Sequence, residues 1–350
     1  MRISGLYILL PMVIGWLVLA CSTTYAEAKL EWMVKAYGDD QHNAFTDLIQ
    51  WGGVYYLCFR HGAAHGSMDG EIRVMRSMDL KTWAPCATLD TLGDDRDPHF
   101  VADGSALYCY FGTWDLVHQE GSALLDRGRV RSYFARTEDG KKWSKVQAVY
   151  EPGWWLWRVR YHDGNFYSAA YTAVRPKPPA RETRLVRSKD GLHWELVSTV
   201  TKERMAGEAD LEFLKDGGIR LLTRTGEKPG NAYWYRSNAA MTDWTESDAK
   251  VLVHAPVFGF WQDICFAGGR AKAEDGYVTK FWQVSGDALE EIITLPSKGD
   301  TSYPGLIAVP PEGDNGPALI VSWYSQHESG TNKNQAAVYV GRVALPLAQK

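Results

Sequence analysis

Several features that mark other protein classes are scarce in this chain of 350 residues. Its formal net charge is only −4, and its lysines and arginines are scattered instead of forming one basic stretch. Because nucleic-acid binding needs a concentrated basic surface, we expect no nucleic-acid partner. No proline-rich linker or shift in composition divides the chain, which favours one large domain, residues 27–350, over two small ones.

Cysteine is also scarce, with five residues, and no Cys/His spacing resembles a zinc site. The sequence therefore implies no metal and no cofactor. Cys58 and Cys109 lie in apolar, strand-like runs, which favours buried thiols over disulfides. An exported protein can also form disulfides, and the four cysteines beyond Cys21 would then allow three pairings.

One apolar run stands out, from Leu6 to Ala20 after the single basic residue Arg2. It is typical of an export signal and is too short for a membrane-spanning helix in the mature chain. Val-Leu-Ala-Cys at its end resembles a bacterial lipobox, in which Cys21 would carry a lipid anchor. Cleavage after Ala26 is the alternative. We expect residues 1–26 to be a signal, and the protein to be a cell-envelope lipoprotein or secreted.

What the chain has in abundance is a repeated Ser/Thr-x-Asp-Gly-x-x-Trp box. Two full copies are Thr137–Trp143 and Ser188–Trp194, and two degenerate copies are Ser77–Trp83 and Ser237–Trp244. An Asp-Gly pair favours a tight turn, and the tryptophan can pack beneath it. The tryptophans are 60, 51 and 50 residues apart, which indicates a repeat architecture.

The repeats define six units of short β-strands joined by glycine turns. In the fifth unit we predict an inner strand at Phe260–Cys265, followed by a turn at Gly268-Gly269 or Asp275-Gly276. Four strands per unit match a propeller blade. The sequence therefore predicts an all-β, six-bladed β-propeller in which Leu30–Ala36 completes the last blade.

The inner strands of a propeller begin around one end of its central channel, so polar residues at those starts are candidates for a shared pocket. Carboxylates, arginines and aromatic rings in one pocket suit a carbohydrate. The candidates are His42, Asn43, Asp47, Arg96, Asp97, His99, Arg158, Arg160, Glu208, Asp210, Trp261, Gln262, Asp263 and Tyr303.

The boxes, the export signal and three further segments resemble the sialidase superfamily of propeller glycosidases. Cys58–Ser77, which includes Arg60, is similar to the family's first-blade segment, and the resemblance implies that Asp69 is the acid/base. The segment from Glu208 to Arg224 resembles the catalytic Glu and one arginine of the carboxylate-binding triad. Ser302–Leu306 resembles the nucleophile segment, which makes Tyr303 the matching residue. In this family a Tyr replaces the usual nucleophilic carboxylate.

The chain departs from the family in two places. His42–Asp47 has no arginine where the first triad arginine belongs, and Arg270, the candidate for the third, falls in a predicted turn. Three arginines give charge-assisted recognition of the sialic acid carboxylate. The resemblance therefore implies an exo-acting hydrolase of a terminal sugar, acidic or otherwise, and does not require sialic acid.

Three other assignments remain open. Arg96-Asp97-Pro98 resembles the motif of arabinanases and fructosidases, which would make Asp47, Asp97 and Glu208 the catalytic set. A non-catalytic glycan-binding propeller would use the same pocket. A polysaccharide lyase, with histidine and tyrosine as base and acid, would draw on His42, His61, His65 or His99.

Overall fold

The protein is a six-bladed β-propeller in the computed structural model, which describes residues 28–114, 130–173, 181–311, 316–330, 332 and 334–345. No helix occurs among these residues, and hence none that could span a membrane. The predicted signal, with Cys21, lies outside them.

Each blade is a sheet of four antiparallel strands, and the first strand of each blade lines the channel. Blade 1 contains β2 (His42–Trp51), β3 (Val54–Gly62), β4 (Glu71–Ser77) and β5 (Ala84–Leu89). Blade 2 contains β6 (Asp94–Ala102), β7 (Leu107–Trp114), β8 (Arg131–Thr137) and β9 (Gln147–Val149). Blade 3 contains β10 (Trp154–His162), β11 (Asn165–Thr172), β12 (Thr183–Ser188) and β13 (Trp194–Thr201).

Blade 4 contains β14 (Ala209–Phe213), β15 (Ile219–Thr223), β16 (Tyr233–Ser237) and β17 (Trp244–Asp248). Blade 5 contains β18 (His254–Trp261), β19 (Ile264–Ala273), β20 (Gly276–Ser285) and β21 (Ala288–Leu295). Blade 6 contains β22 (Thr301–Val309), β23 (Ala318–Ser325), β24 (Ala337–Ala344) and β1 (Lys29–Tyr37). Because β1 pairs antiparallel with β24, the prediction that Leu30–Ala36 completes the last blade is confirmed.

The repeated boxes are the turns between the third and fourth strands of blades 1 to 4. In the best copy, Asp190 Oδ1 accepts the backbone N–H of Leu192 at 2.9 Å and of His193 at 2.8 Å. Trp194 Nε1 donates to the carbonyl of Gly191, whose φ of +76° suits glycine. The turn is thus closed by its own residues, and it packs on blade 2, where the Tyr110 hydroxyl donates to the Gly191 carbonyl at 2.7 Å.

Apolar side chains fill the spaces between neighbouring blades, and most of the largest fully buried side chains are aromatic. Trp155, Trp157, Trp234 and Trp323 are all fully buried. Each such ring removes a large apolar area from water, so the high tryptophan content serves the packing of the blades.

Five of the six inner strands carry a β-bulge near their first residues, and it turns two residues out of the regular ladder. The first residues of these bulges are Phe45, Asp97, Trp157, Ala255 and Tyr303. All but Trp157 have positive φ, from +47° to +58°. Such a conformation is unfavourable for a residue with a side chain and is characteristic of functional sites. Glu208, directly before β14, has the corresponding place in blade 4.

The predicted position of the inner strand of blade 5 was wrong. The observed strand runs from His254 to Trp261, and the turn follows at Gln262, whose φ is +53°. Of the two turns that the sequence left open for this blade, Asp275-Gly276 is confirmed, because β19 ends at Ala273 and β20 begins at Gly276. Gly268 and Gly269 lie within β19, where a Cβ on Gly268 would come within 2.4 Å of the Phe281 ring. These glycines permit close packing between strands, so they do not mark a turn.

Candidate active site

Tyr303 and Glu208 lie together at the end of the channel where the inner strands begin. The Tyr303 hydroxyl donates to Glu208 Oε1 at 2.9 Å, although the two residues are 95 positions apart. Both side chains are nearly buried. A base within hydrogen-bond reach of a hydroxyl is the arrangement that activates a nucleophile.

Arg224 contacts both members of this pair. Its Nη1 donates to Glu208 Oε1 and, at 3.2 Å, to the Tyr303 hydroxyl oxygen. The second oxygen of Glu208 accepts the backbone N–H of Ala255 at 2.8 Å. Burial opposes ionisation of Glu208, but Arg224, His254 and this N–H outweigh it and lower its pKa. Glu208 is therefore an ionised carboxylate that accepts the hydrogen bond from the Tyr303 hydroxyl.

Burial, together with the charge of Glu208, raises the pKa of Tyr303. The phenol is therefore neutral at rest, and it becomes nucleophilic only when its proton moves to Glu208 during attack. Its backbone is fixed in place, since Thr46 Oγ1 donates to the Tyr303 carbonyl at 2.9 Å. The Phe45 ring packs 4.9 Å from the Tyr303 ring.

Arg270 completes what we call the Tyr303 cluster: Glu208, Arg224, Arg270 and Tyr303. Its guanidinium lies 4.9 Å from the centre of the Tyr303 ring. Its Nη2 donates to Asp300 Oδ1 at 2.9 Å and to the Tyr324 hydroxyl at 2.7 Å. The expectation that Arg270 lies in a turn was wrong, because it belongs to β19 and points at the site. Two arginines therefore flank Tyr303.

Asp97 lies at the edge of this cluster and is coupled electrostatically to Glu208 and Arg224. Burial raises its pKa to about 7, with Arg96 opposing the shift and Glu208 reinforcing it. Asp97 Oδ1 has no hydrogen-bond partner within the described part of the chain. A buried carboxylate without a partner is unusual, and it offers an acceptor or a proton to a ligand.

Three predicted substrate-binding residues instead form a buried network across the channel. Arg158 donates to Asp47 at 2.9 Å, to the Pro256 carbonyl at 3.0 Å and to the Pro304 carbonyl at 2.7 Å. These acceptors belong to three other blades, so Arg158 braces the axis of the propeller. Arg160 pairs with Asp210 in a bidentate fork. Asp47, Arg158 and Arg160 are occupied by protein groups, which favours a structural role over sugar binding.

Four other predicted residues also have local roles. Asn43 is buried and donates to Asp39, Gln41 and Ala336. Arg60 is buried against Asp94 and the chain that follows β3. Arg96 donates to Asp94 and to the His65 carbonyl, and its guanidinium lies 5.3 Å from the centre of the Phe45 ring. His42 Nε2 lies 2.9 Å from Asp300 Oδ2, at the rim of the Tyr303 cluster.

Two predicted site residues are not brought into the cluster. Trp261 is the last residue of β18, whereas His254 at the other end of that strand lies beside Glu208. Eight residues of strand separate the two ends by about 23 Å. Asp69 lies in the loop before β4, where its carboxylate accepts the Ala63 N–H at 3.1 Å. Sequence reasoning missed Asp300, three residues before Tyr303, and the short spacing was its only signal.

Beyond the cluster, a cavity of about 330 Å³ occupies the rest of the channel on the side where the inner strands end. Arg158 and Arg160 line it together with apolar residues of β18 and β22. The channel thus has two polar regions, and only the one at the strand starts contains the tyrosine and glutamate pair.

No protein-family model and no curated protein matches this chain. Solved structures do match. Trypanosoma rangeli sialidase in complex with the inhibitor DANA gives a TM-score of 0.65 at 14% identity, over 86% of this chain and 55% of that one. The phage phi92 endosialidase gives 0.64 at 12% identity, over 93% of this chain and 70% of that one. A NanB structure gives 0.59 at 12% identity, over 87% and 69%.

The chain therefore has the sialidase-like propeller fold, as its boxes and segments predicted. It spans about half the length of the trypanosomal enzyme that it matches. At this level of identity the likeness extends to the fold alone, and the chemistry has to be argued from the cluster itself.

Proposed function

We propose that the protein is a glycoside hydrolase that releases a terminal acidic sugar, with Tyr303 as nucleophile and Glu208 as its base. The observation that carries the proposal is the hydrogen bond from the Tyr303 hydroxyl to Glu208 Oε1 at 2.9 Å. Arg224 donates both to this Glu208 oxygen and to the Tyr303 hydroxyl oxygen. A phenol is a poor nucleophile until a base removes its proton. Glu208 is ionised and in reach of that proton.

The chemistry follows from the cluster in two steps. Tyr303 Oη attacks the anomeric carbon as its proton passes to Glu208, and the leaving oxygen departs with the bonding electron pair and takes a proton from an acid. Water then attacks the same carbon and gives a proton to the conjugate base of that acid, the bond to Tyr303 breaks, and Glu208 returns its proton to the phenolate. Arg224 faces the Tyr303 oxygen as negative charge develops there, so it stabilises the separated charge.

Arg224 and Arg270 are the reason that we propose an acidic substrate. The Arg224 side chain is 31% exposed and can reach a bound ligand. The Arg270 side chain is 12% exposed, and its Nε and Nη2 donate to Thr301, Asp300 and Tyr324, so Nη1 is the atom that would face a ligand. Two guanidinium groups beside one reacting carbon suit a sugar that carries a carboxylate. The matched trypanosomal structure contains a sialidase inhibitor, which supports a sugar acid as the substrate class.

The test is turnover of a panel of 4-nitrophenyl glycosides that includes N-acetylneuraminic acid, glucuronic acid and a neutral sugar. We expect the wild-type protein to release 4-nitrophenol from an acidic member and Tyr303→Phe to be at least about 100-fold slower. Thr46→Val is the control, since it removes the hydrogen bonds to the Tyr303 carbonyl and to Ser322 Oγ but leaves the Tyr303 hydroxyl and Glu208 in place. Unchanged turnover by Tyr303→Phe would refute the assignment.

A lyase is the second candidate, because His42 and His65 both lie at the rim of the cluster. It would leave an unsaturated sugar that absorbs in the ultraviolet, whereas hydrolysis would not. Following absorbance beside released sugar, with an acidic polysaccharide as substrate, separates the two reactions in one experiment.

We also propose that the propeller acts outside the cytoplasm. The support is the apolar run from Leu6 to Ala20 and the lipobox-like sequence that ends at Cys21. Mass spectrometry of the mature N-terminus in a bacterial host tests this. A diacylated Cys21 supports a lipid anchor, and a chain that begins at Glu27 supports secretion.

A further inference from the structure

The buried Arg60 ties the loop between β3 and β4 to the start of blade 2. Arg60 Nε donates to Asp94 Oδ1 at 2.7 Å, and its two terminal nitrogens donate to the Ala64 carbonyl at 2.8 Å and to Ser67 Oγ at 3.0 Å. Gly70 closes the loop where a Cβ would lie 2.4 Å from Asp94 Oδ1. Both ends of the loop are thus tied to one buried ion pair.

This conformation gives Asp69 and His65 different surroundings. Both Asp69 oxygens accept the Ala63 N–H, at 3.1 and 3.3 Å, so the carboxylate closes the turn. Although burial opposes it, hydrogen bonds from Ser67 and Ala63 lower the pKa of Asp69, which makes it a poor proton donor near neutral pH. His65, in contrast, has its ring 5.3 Å from the Phe45 ring, and Phe45 contacts Tyr303.

Asp300 orients the His65 ring. His65 Nδ1 lies 2.5 Å from Asp300 Oδ2, which leaves Nε2 for another partner, and the side chain is 56% exposed. Hydrogen bonds from His42 and His65 overcome the effect of burial and lower the pKa of Asp300, so this carboxylate is ionised. A carboxylate on one imidazole nitrogen fixes the ring orientation and directs the other nitrogen outward, as an acid/base histidine requires.

The same three groups, His42, His65 and Asp300, have the composition of a metal site, and their ligand atoms lie within 4.8 Å of one another. His42 argues against that use. If its Nε2 held a metal, the buried Nδ1 would carry a proton, and it has no acceptor anywhere in the described structure. With Nε2–H donated to Asp300, only a lone pair is left at Nδ1, which costs less.

We propose that His65, oriented by Asp300, is the acid/base catalyst of this site, in the role that the resemblance assigns to Asp69. The inference rests on the proposed hydrolase function. In the first step the C–O bond to the leaving group breaks, its electrons go to the leaving oxygen, and His65 Nε2–H protonates that oxygen. In the second step neutral His65 takes a proton from the attacking water, and the C–O bond to Tyr303 breaks.

The experiment compares His65→Ala, His65→Gln and Asp69→Asn on two leaving groups, using 4-nitrophenyl and methyl glycosides of N-acetylneuraminic acid and glucuronic acid. Methanol leaves only when its oxygen is protonated, whereas 4-nitrophenolate is stable enough to leave without a proton. The compared quantity is kcat/KM, which reports the first step alone, because the second step is the same for both leaving groups. We expect kcat/KM of both His65 variants to fall about 100-fold on the methyl glycoside and less than about tenfold on the aryl glycoside. Asp69→Asn is the matched control, and we expect wild-type rates on both.

A loss confined to the methyl glycoside in Asp69→Asn, an equal loss on both substrates in the His65 variants, or no loss in them would each overturn the proposal. Inactivation of the wild type by EDTA, with recovery on adding zinc, would also overturn it, since His65 Nδ1 would then be a metal ligand. If the wild type cleaves neither aryl glycoside, the hydrolase function itself fails. Equal melting temperatures of His65→Gln and the wild type exclude misfolding as the cause of a loss.

Discussion

Glu208 and Asp210 are two residues apart, and their immediate surroundings are nearly the same. Each carboxylate accepts a backbone N–H from blade 5, at 2.8 Å from Ala255 for Glu208 and 2.7 Å from Phe258 for Asp210. Each also pairs with an arginine, Arg224 for Glu208 and Arg160 for Asp210. One pair lies in the Tyr303 cluster and the other in the axial network.

What differs is the set of donors around each carboxylate, because the two arginines are similarly exposed, at 29% for Arg160 and 31% for Arg224. Asp210 is completely buried, and its oxygens accept two donors from Arg160 and the N–H groups of Phe258 and Leu211. Glu208 instead accepts the Tyr303 hydroxyl and Arg224 at the same oxygen. A buried carboxylate surrounded by arginine and backbone donors braces the fold, and one that also accepts a phenol proton can take part in chemistry.

The strongest way to test this comparison is to neutralise Glu208. We expect Glu208→Gln to lower kcat about a thousandfold, roughly 4 kcal/mol in the barrier, because Tyr303 loses its base. Its unfolding free energy should change little, since water can solvate the exposed Arg224. Initial rates on the aryl glycoside, with urea unfolding of the same samples, measure both. A full loss of stability without loss of turnover per folded molecule would reverse the two roles.

Asp210→Asn is the matched change in the axial network. It leaves Arg160 with a weakened partner in a buried setting, which we expect to lower the unfolding free energy by about 3 kcal/mol. The folded fraction should retain kcat within about threefold, since no atom of Asp210 contacts Tyr303. Urea unfolding and active-site titration provide the two measurements. An Asp210→Asn protein with normal stability would show that the axial network contributes less than its geometry indicates.

Arg270 has a smaller predicted effect, confined to substrate binding. Arg270→Met removes the second guanidinium beside Tyr303 while keeping much of the side-chain volume. We expect KM for an acidic glycoside to rise about 10- to 100-fold, the value of one or two charged hydrogen bonds. A neutral glycoside with the same leaving group is the control, and its KM should stay constant. An equal rise for both substrates would show that Arg270 positions Asp300 instead of binding a carboxylate.

Blade 2 also has two acidic residues that are two positions apart, Asp95 and Asp97. Burial raises the pKa of Asp95 to about 7, although hydrogen bonds from Thr113 and Thr91 oppose the shift. Between about pH 4 and 7 the unfolded chain has lost this proton and the folded chain has kept it, so stability from this group falls as pH rises. The unfolding free energy of Asp95→Asn, relative to that of the wild type at the same pH, should therefore rise by roughly 2 kcal/mol from pH 5 to pH 8. A difference that stays constant with pH would contradict the raised pKa.

The sequence was sufficient for the fold because its signals are local. In the box Ser188–Trp194 the turn is closed by its own Asp190 and Trp194, so these residues mark a blade without any information from distant residues. The same local reasoning misplaced the inner strand of blade 5. Gly268 and Gly269 resemble a turn in sequence, but their small size serves packing against Phe281 and Val253.

The site was harder to predict because its partners are far apart in the chain. Glu208 and Tyr303 were identified from family-like segments, but Arg270 and Asp300 depend on contacts that no local pattern encodes. Asp47, Arg158 and Arg160 have the residue types of a sugar site and lie on the correct strands. Only the three-dimensional structure shows that their hydrogen bonds are already used by protein groups.

The smallest effect is expected at Trp261, which the sequence placed with the substrate-binding residues. It lies where β18 ends, on the far side of Arg158 from Tyr303, and an indole acts only on what it touches. Trp261→Ala should therefore leave kcat and KM within about twofold, with at most a modest loss of stability from its half-buried ring. Kinetics on the aryl glycoside test this, with Phe45→Ala as the contrasting variant because its ring contacts Tyr303. If Trp261→Ala raised KM as much as Phe45→Ala, substrate would have to reach through the channel, and the axial network could not be closed as described.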